Sequence, residues 1–356
     1  LSPLNMLGGP IWHALRTHDA CSLADLINKG EDVNADGTGD QRPIHMASEL
    51  DDAASIKLLI EGGADFRCED GQLRTPLLVA CEFGSFTAAR LLIELGASLT
   101  ATDKSETTPL HWLAYFGSHE LVELAISKGA LVDAQNDSNE TPLMHALMQG
   151  RWGVAQQLLE RGADPRAIDS ARCTPLHHAL SQGGAVTHNC PEAAAVVERL
   201  IGIKENVDAT DKEKRTPLHW ASGKSLLQFV EMLLDAGAKV NAADWAEQTP
   251  LHWACAVNAT ESARALIKAG ADPEKADRDS RSPLLCAADR ASEGCLRLLL
   301  GQPNAKVDIV DWGGFSALHY SARRGALGCV RILLEKGADR LLAAASGQLP
   351  VEVAVG

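Results

Sequence analysis

A six-residue phrase returns along this chain at almost constant spacing, and that spacing restricts the fold more than any other feature. The phrase Thr-Pro-Leu-His-Trp-Ala occupies residues 216–221 and again residues 249–254. Related phrases put the proline position at residues 10, 43, 76, 109, 142, 175, 217, 250, 283, 317 and 350, and eight of the ten steps are 33 residues. Such a period predicts supersecondary units that stack on one another and share one core.

Each unit carries the signals of two helices. Threonine before the proline is a good N-cap, and proline suits the first helical turn, where its missing N–H is not needed. Apolar residues at helical spacing mark a second helix, as at Ile56, Leu59 and Ile60. Glycine twenty residues after the proline predicts a helix end with positive φ. Asn304 and Lys204 replace this glycine in two units, and only the asparagine suits that conformation.

The period and the phrase resemble the ankyrin repeat, from about residue 9 to the end of the chain. The resemblance implies an all-α repeat solenoid, in which each repeat is a helix-turn-helix with a β-hairpin-like finger. We expect about ten full repeats and one partial repeat in a single domain, residues 1–356. The predicted starts are residues 9, 42, 75, 108, 141, 174, 216, 249, 282 and 316, with the partial repeat at 349.

The resemblance also gives roles to residues around each phrase. The histidine is expected to hydrogen-bond to the threonine hydroxyl or to an adjacent backbone group. Each finger is expected to open at an aspartate, here Asp103, Asp137, Asp169, Asp211, Asp244, Asp277 and Asp311. Fingers of the family carry glycine two residues before the threonine, and only Gly314 keeps it. We assign the matching position elsewhere to Leu73, Glu106, Glu140, Arg172, Lys214, Glu247 and Ser280.

The sixth repeat contains nine additional residues near positions 183–191. Pro191 is expected to begin the second helix of that repeat. A neutral loop, a contact loop and a hinge all remain open as interpretations, because added loop residues cost little entropy. The chain begins at Leu1 and closes a few residues into a repeat, which favours an excerpt of a longer protein.

Charge is distributed unevenly between the two halves of the chain. Residues 1–170 contain 25 acidic and 12 basic residues, a balance of −13, whereas residues 171–356 contain 22 and 21, a balance of −1. The acidic half is a poor nucleic-acid surface, since phosphate binding needs clustered Lys and Arg. It favours a basic peptide partner. Acidity that only maintains solubility is the alternative interpretation.

The cysteine count and the length of the apolar runs indicate the cellular location of the protein. The nine cysteines are odd in number and form no CxxC pair, which predicts core thiols in a reduced protein. No apolar run approaches the ~18 residues needed to cross a membrane, and residues 1–10 lack the features of a signal peptide. We therefore expect an intracellular, cytoplasmic location, with the nucleus as the alternative, and no membrane insertion in this segment.

Histidine is abundant, but its placement argues against catalysis. Six of the twelve histidines occupy the same slot of the phrase, so they are expected to serve the repeat: His45, His111, His177, His219, His252 and His319. His177, His178, His188 and Cys190 form the best metal candidate, yet their spacing matches no recognised zinc pairing. The sequence predicts no enzyme activity, no metal site and no cofactor.

Protein binding is the function that the resemblance implies. Ankyrin repeats use a concave face built from the fingers and the first helices, and large exposed residues there are natural anchors. We expect a non-enzymatic scaffold that binds a protein or peptide partner, and we leave its oligomeric state open. The predicted contact residues are Phe83, Tyr115, Phe116, Met148, Lys104, Glu106, Asn139, Glu140, Lys212, Lys214, Trp245, Glu247 and Trp312.

Two alternative functions remain open at this stage. A methyl-lysine cage works by cation–π attraction. Its composition is matched here by Trp245, Trp220 and Trp253, with an acid such as Glu247. The competing interpretation is that these tryptophans only pack against the repeat. The chain is also suited to be the substrate-recruiting arm of a larger enzyme or channel.

Overall fold

The structure is a computed structural model that describes residues 9–181 and 190–354. Across those residues it contains 21 α-helices and no β-strand, apart from one isolated bridge between Val310 and Ser316. The predicted all-α repeat architecture is therefore confirmed. The chain divides into two compact units, Leu1–Ser170 and Ala171–Gly356. A single domain over residues 1–356 stays a prediction.

Most helices come in pairs, a first helix that begins at the phrase and a second helix after a short turn. The helices of the first unit are α1 Pro10–Arg16, α2 Ala20–Asn28, α3 Pro43–Glu49, α4 Ala53–Glu61, α5 Pro76–Glu82, α6 Phe86–Glu94, α7 Pro109–Phe116, α8 His119–Ser127, α9 Pro142–Met148 and α10 Trp152–Glu160. Those of the second unit are α11 Pro175–Ser181, α12 Pro191–Ile201, α13 Lys204–Val207, α14 Pro217–Gly223, α15 Leu227–Asp235, α16 Pro250–Ala256, α17 Thr260–Lys268, α18 Pro283–Asp289, α19 Glu293–Leu300, α20 Ala317–Arg323 and α21 Leu327–Glu335. Short 3-10 turns lie at Thr38–Asp40 and Glu352–Ala354.

The core of each unit is built from the same repeat positions. The leucine of the phrase is completely buried at Leu77, Leu110, Leu143, Leu176, Leu218 and Leu251. First helices of consecutive repeats pack on each other, as α5 does on α3 and α7. Complete burial of a leucine side chain contributes about 2 kcal/mol. Recurrence of this burial in successive repeats extends the core along each unit.

In six repeats the phrase histidine joins one repeat to the next. The Nδ1 atom of His111 accepts the amide N–H of Thr108 at 3.2 Å and lies 2.8 Å from the Thr108 hydroxyl oxygen. The Nε2 atom donates to the Glu140 carbonyl, directly before the cap of the next repeat, at 3.0 Å. The same Nε2 contact reaches the residue before the next phrase in five other repeats, at Arg74, Arg215, Gln248, Arg281 and Gln348. The role that the resemblance implied for this histidine is confirmed, and the contact to the next repeat is an addition to it.

Burial keeps several of these imidazoles neutral. It lowers the pKa of His45, His219 and His252 below the ordinary histidine value. Burial, with a contribution from neighbouring His145, lowers the pKa of His111 to about 4. A neutral imidazole that donates from Nε2 must accept at Nδ1, so the two contacts of each ring fix a single tautomer.

The ends of the second helices follow the predicted glycine pattern. Backbone φ is positive at Gly30, Gly63, Gly96, Gly129, Gly162, Gly237, Gly270 and Gly337, and Asn304 adopts +63° in the same role. In the sixth repeat α12 ends at Ile201 with Gly202 as its C-cap, and Lys204 begins the additional helix α13. Pro191 begins α12 as expected. Residues 182–189, which hold most of the predicted insertion, lie outside the described residues.

The fingers are turns held by an aspartate. The Oδ1 atom of Asp211 accepts the amides of Glu213 at 3.0 Å and Arg215 at 2.8 Å, and the Asp211 amide donates to the Arg215 carbonyl at 3.1 Å. The same contacts recur at Asp70, Asp103, Asp244 and Asp277. In the fourth repeat the prediction was wrong by one residue, because Asn136 and not Asp137 holds the turn.

Each of these turns contains one residue with a left-handed backbone. Gly314 adopts φ +75° there, and the non-glycine residues at Leu73, Glu106, Asn139, Arg172, Lys214, Glu247 and Ser280 adopt φ between +56° and +62°. The assignment of Glu140 to this position was wrong, because Asn139 is the residue two before the threonine. The hydrogen bonds that the finger aspartate accepts from backbone amides hold this conformation, which costs a non-glycine residue about 1 kcal/mol.

Acidification should weaken the fold through His111. Its pKa is about 4 in the folded chain and about 6.5 when unfolded, so the unfolded chain binds more protons in that window. The stability is complete above the unfolded pKa and is lost as pH falls toward the folded pKa, by about 2 kcal/mol between pH 7 and pH 5. The variant His111→Gln should reduce the loss seen in urea denaturation by that amount. Leu110→Ala, which destabilises without removing a titrating group, should keep the wild-type pH slope, and a wild-type slope in His111→Gln would contradict the prediction.

Glycine at a left-handed finger position should relieve backbone strain. Leu73 adopts φ +62° and is 47% exposed, so its side chain has little packing to lose. Leu73→Gly should be more stable than Leu73→Ala by about 1 kcal/mol, since alanine keeps the Cβ that disfavours this conformation. Thermal and urea unfolding of the two variants measure the difference, and equal stability would show that the turn is not strained.

Candidate partner-binding surfaces

Four aromatic rings in the first unit contact one another edge to face. Phe86 meets Phe116 with 6.1 Å between ring centroids, Phe116 meets Tyr115 at 5.3 Å, and Tyr115 meets Trp112 at 5.8 Å. Three of these residues lie on α7, and Phe86 begins α6 of the preceding repeat. Edge-to-face pairs of this kind contribute about 1 kcal/mol each beyond the burial of area. We refer to these four residues as the aromatic cluster.

The aromatic cluster is partly open to solvent and extends toward another predicted contact residue. Phe86 is 38% exposed, and the other three rings are half-buried. Phe83 is 50% exposed at the C-cap of α5. Its neighbour Gly84 lies against Phe116, since a side-chain carbon there would be 3.4 Å from the ring. The structure therefore brings the predicted residues Tyr115 and Phe116 together, and the exposed Phe83 directly precedes a residue that lies against Phe116.

Cations close to this patch are already held by other groups. Arg74 pairs with Asp70 and with Glu82, the residue before Phe83, each at 2.7 Å. The Nε atom of Arg151 donates to the Tyr115 carbonyl at 3.2 Å. Met148, which ends α9, is half-buried in a helix that packs on α7. The apolar patch therefore lies in an acidic unit whose nearest arginines are engaged.

Only some of the predicted fingertip residues of the first unit are exposed. Lys104, Glu106 and Asn139 are exposed. Glu140 is half-buried, and its Oε2 atom accepts from Asn136 Nδ2 at 3.0 Å and lies 3.1 Å from His145 Nε2. Glu140 therefore supports its own finger, whereas Glu106 is the acid of the pair that is available to a partner.

The predicted residues of the second unit lie on its fingers. Lys212, Lys214 and Glu247 are exposed, Trp245 is 62% exposed and Trp312 is 77% exposed. The structure brings Trp245 together with Arg278 of the next finger, whose guanidinium lies 4.8 Å from the ring centroid. This arginine stabilises the tryptophan by a cation–π contact.

The tryptophans do not assemble the proposed methyl-lysine cage. The Nε1 atom of Trp220 donates to Asp211 at 3.3 Å, and Arg215 lies 4.7 Å above its ring. The Nε1 atom of Trp253 donates to the finger aspartate Asp244 at 3.0 Å. Within residues 9–181 and 190–354, no ring contact joins Trp245 to either of them. Trp220 and Trp253 brace their own fingers, which is the packing interpretation.

One residue of the candidate metal site in the sixth repeat, His177, has no ring nitrogen available for a metal. The Nδ1 atom of His177 accepts the Thr174 amide at 3.1 Å, and its Nε2 atom donates to the Arg215 carbonyl at 3.2 Å. Both ring nitrogens are therefore committed to the repeat. The sulfur of Cys190 donates to Glu192 at 3.7 Å, and His188 lies outside the described residues.

The cysteines are consistent with a fold that needs no covalent cross-link. All nine are free thiols, and seven are buried. Burial raises the pKa of Cys68 to about 11 and that of Cys286 to about 12, so both stay protonated at neutral pH. Among the helices of the described residues, none combines the length and the apolar character that crossing a bilayer requires.

Two members of the aromatic cluster, Phe86 and Trp112, were not among the predicted contact residues. Phe86 begins a second helix, a position that the resemblance does not assign to partner contacts, although an aromatic residue there was a usable signal. Trp112 follows the phrase histidine His111 directly. Its contact with Tyr115 depends on side-chain direction, because the two residues are three apart on one helix face.

Comparison with known families agrees with this architecture. A family model described as ankyrin repeats (3 copies) matches residues 11–103, 96–169, 151–244, 185–277 and 258–342. The matches overlap and span most of both units. A comparison with curated protein sequences gives no match.

Charge reversal at Glu140 and at Glu106 should have different effects on the free energy of unfolding. Glu140→Lys removes the acceptor of Asn136 and His145 and should lower the free energy of unfolding by about 2 kcal/mol. Glu106→Lys, at an exposed position without a side-chain contact among the described residues, should change it by less than about 0.5 kcal/mol. Urea denaturation of the two variants measures both values. Equal losses would contradict the assignment of the two roles.

Proposed function

The chain belongs to the ankyrin-repeat family, and we propose that it is a non-enzymatic scaffold whose first unit binds a basic, extended segment of a partner protein. Ankyrin repeats are generally protein–protein interaction modules. The observation that carries the proposal is the partly exposed aromatic cluster beside Phe83, in a unit with a charge balance of −13. The partner would contact this patch and the exposed fingertips of the same unit.

The aromatic cluster supplies the anchoring surface. Phe83 and Phe86 expose large apolar area, and Phe116 lies between them against Gly84 and Phe86. Aromatic residues that desolvate fully on binding carry a large share of interface energy. Edge-to-face contacts already order these rings, so binding loses less side-chain entropy than it would with isolated rings.

The charge of the unit selects the partner. A balance of −13 over residues 1–170 attracts basic segments and raises their rate of association. Lysine and arginine side chains also interact favourably with aromatic faces. Because Arg74 is paired with two carboxylates, it opposes such a partner less than a free cation would. An acidic partner would meet unfavourable charge across the same surface.

The alternative functions have less support in this arrangement. A methyl-lysine reader lacks its cage, since Trp220 and Trp253 brace their own fingers. The histidines that invited a search for catalysis are committed to backbone contacts in six repeats. A substrate-recruiting arm of a larger enzyme or channel would use the same partner-binding surface, and it is compatible with the proposal.

Two synthetic peptides of opposite charge test the proposal. The basic probe is a fluorescein-labelled peptide of three Lys-Ala-Lys-Leu repeats, and the acidic probe carries glutamate at each lysine position. Fluorescence anisotropy with the chain should show tighter binding of the basic probe to the first unit. Phe83→Ala should weaken that binding about tenfold, and Glu106→Lys about threefold, with the electrostatic part falling as salt is raised.

The controls separate binding from folding. Phe83 is half-exposed, so its replacement leaves the helices intact, and circular dichroism checks this. Trp312→Ala removes a more exposed aromatic side chain from the second unit and should leave the affinity for the basic probe unchanged. Unaltered affinity in both Phe83→Ala and Phe116→Ala would refute the assignment of the aromatic cluster.

A further inference from the structure

Exposed cations and tryptophans alternate along the fingers of the second unit. Each follows the finger aspartate directly, so the same slot holds Lys212, Trp245, Arg278 and Trp312 in four consecutive fingers. All four side chains are exposed, and Trp312 is the most exposed of the large apolar side chains together with Leu327, at 77%. We refer to these four residues as the fingertip row.

Backbone hydrogen bonds fix the order of the fingertip row. The amide of Trp245 donates to the Glu213 carbonyl at 2.8 Å, and the amide of Arg278 donates to the Ala246 carbonyl at 2.9 Å. The amide of Trp312 reaches the Asp279 carbonyl at 3.4 Å. The first helices that follow these fingers pack on one another in sequence. At the spacing of about 10 Å between packed helices, four fingers span about 30 Å. An extended peptide of about nine residues has that length.

Part of the fingertip row is ordered before any partner binds. The guanidinium of Arg278 covers one face of Trp245 and donates to the Trp245 carbonyl. This contact positions a cation beside an exposed indole. Trp312 makes no ring contact among the described residues, so its exposed area is available to an apolar side chain. Indole surface of this kind is a common anchor at protein interfaces.

The acidic groups of these fingers are mostly balanced within the unit. Arg215 pairs with buried Asp211 at 2.6 Å and with Glu213 at 3.0 Å. Arg281 makes the equivalent pairs with Asp277 at 3.0 Å and Asp279 at 3.2 Å. No ion pair engages Lys212, Lys214 or Glu247 in the part of the chain that the structure describes. The available charge on these tips is therefore that of Lys212, Lys214 and Arg278 against Glu247.

We propose that the fingertip row binds an extended acidic segment of a second partner protein, with carboxylates at Lys212 and Arg278 and apolar side chains on Trp245 and Trp312. Spaced carboxylates suit this row better than a continuous phosphate backbone, because Glu213 and Asp279 lie on the same fingers. The surface is in the second unit and has the opposite charge preference to the aromatic cluster. The chain thus holds one basic and one acidic segment at separate sites.

Anisotropy titration with the acidic probe tests this proposal. The intact chain should bind the peptide of three Glu-Ala-Glu-Leu repeats, and the intrinsic tryptophan emission should shift as the exposed indoles are covered. The double variant Lys212→Glu/Arg278→Glu should weaken this binding about tenfold. Trp312→Ala should weaken it about threefold. Lys336→Glu reverses an exposed charge of the second unit outside the fingers, and it should leave the affinity for the acidic probe unchanged.

Several outcomes would overturn the assignment. The double variant could bind the acidic probe as tightly as the intact chain does. The intact chain could fail to bind the acidic probe at millimolar concentration. It could also bind single-stranded dT12 more tightly, without displacement by the acidic probe. The basic probe and the Phe83→Ala variant address the first unit separately. A negative result for the fingertip row therefore does not affect the proposal for the aromatic cluster, and a negative result for the aromatic cluster does not affect the proposal for the fingertip row.

Discussion

A neutral imidazole that contacts two repeats at once is the interaction on which each unit depends. Its Nδ1 atom completes the cap of one first helix, and its Nε2 atom donates to the carbonyl before the cap of the next, as His219 does with Thr216 and Gln248. His219 is completely buried, so either contact left unmade would leave a buried ring nitrogen without a partner. In the six repeats that carry it, this histidine therefore ties the start of a first helix to the residue before the next one.

The finger aspartates extend this framework to the surface. The carboxylate of Asp277 accepts two finger amides, a side-chain contact from Gln248 and an ion pair with Arg281. Burial alone would raise the pKa of Asp277, but these hydrogen bonds and the arginine lower it overall, and the carboxylate stays ionised. The turn residues beyond the aspartate are then free to vary. Glu106, Lys214 and Trp312 can therefore serve a partner without a role in folding.

The sequence predicted the framework better than the surface. The period located nearly every first helix, because cap, proline and apolar spacing are local signals. It misplaced the aspartate of the fourth repeat's finger, where Asn136 holds the turn that was assigned to Asp137, since an asparagine oxygen accepts the same amides. It also treated Glu140 as a free fingertip and missed Phe86. Both depend on contacts between side chains of different elements, and no local pattern encodes them.

The bridging histidine is the central claim, and its protonation can be observed directly. Long-range proton–nitrogen correlation spectra of the uniformly labelled chain report the tautomer of each imidazole. At pH 7 the six phrase histidines, His45, His111, His177, His219, His252 and His319, should all show the neutral form with the proton on Nε2. Averaged tautomers or a proton on Nδ1 at these positions would contradict the account.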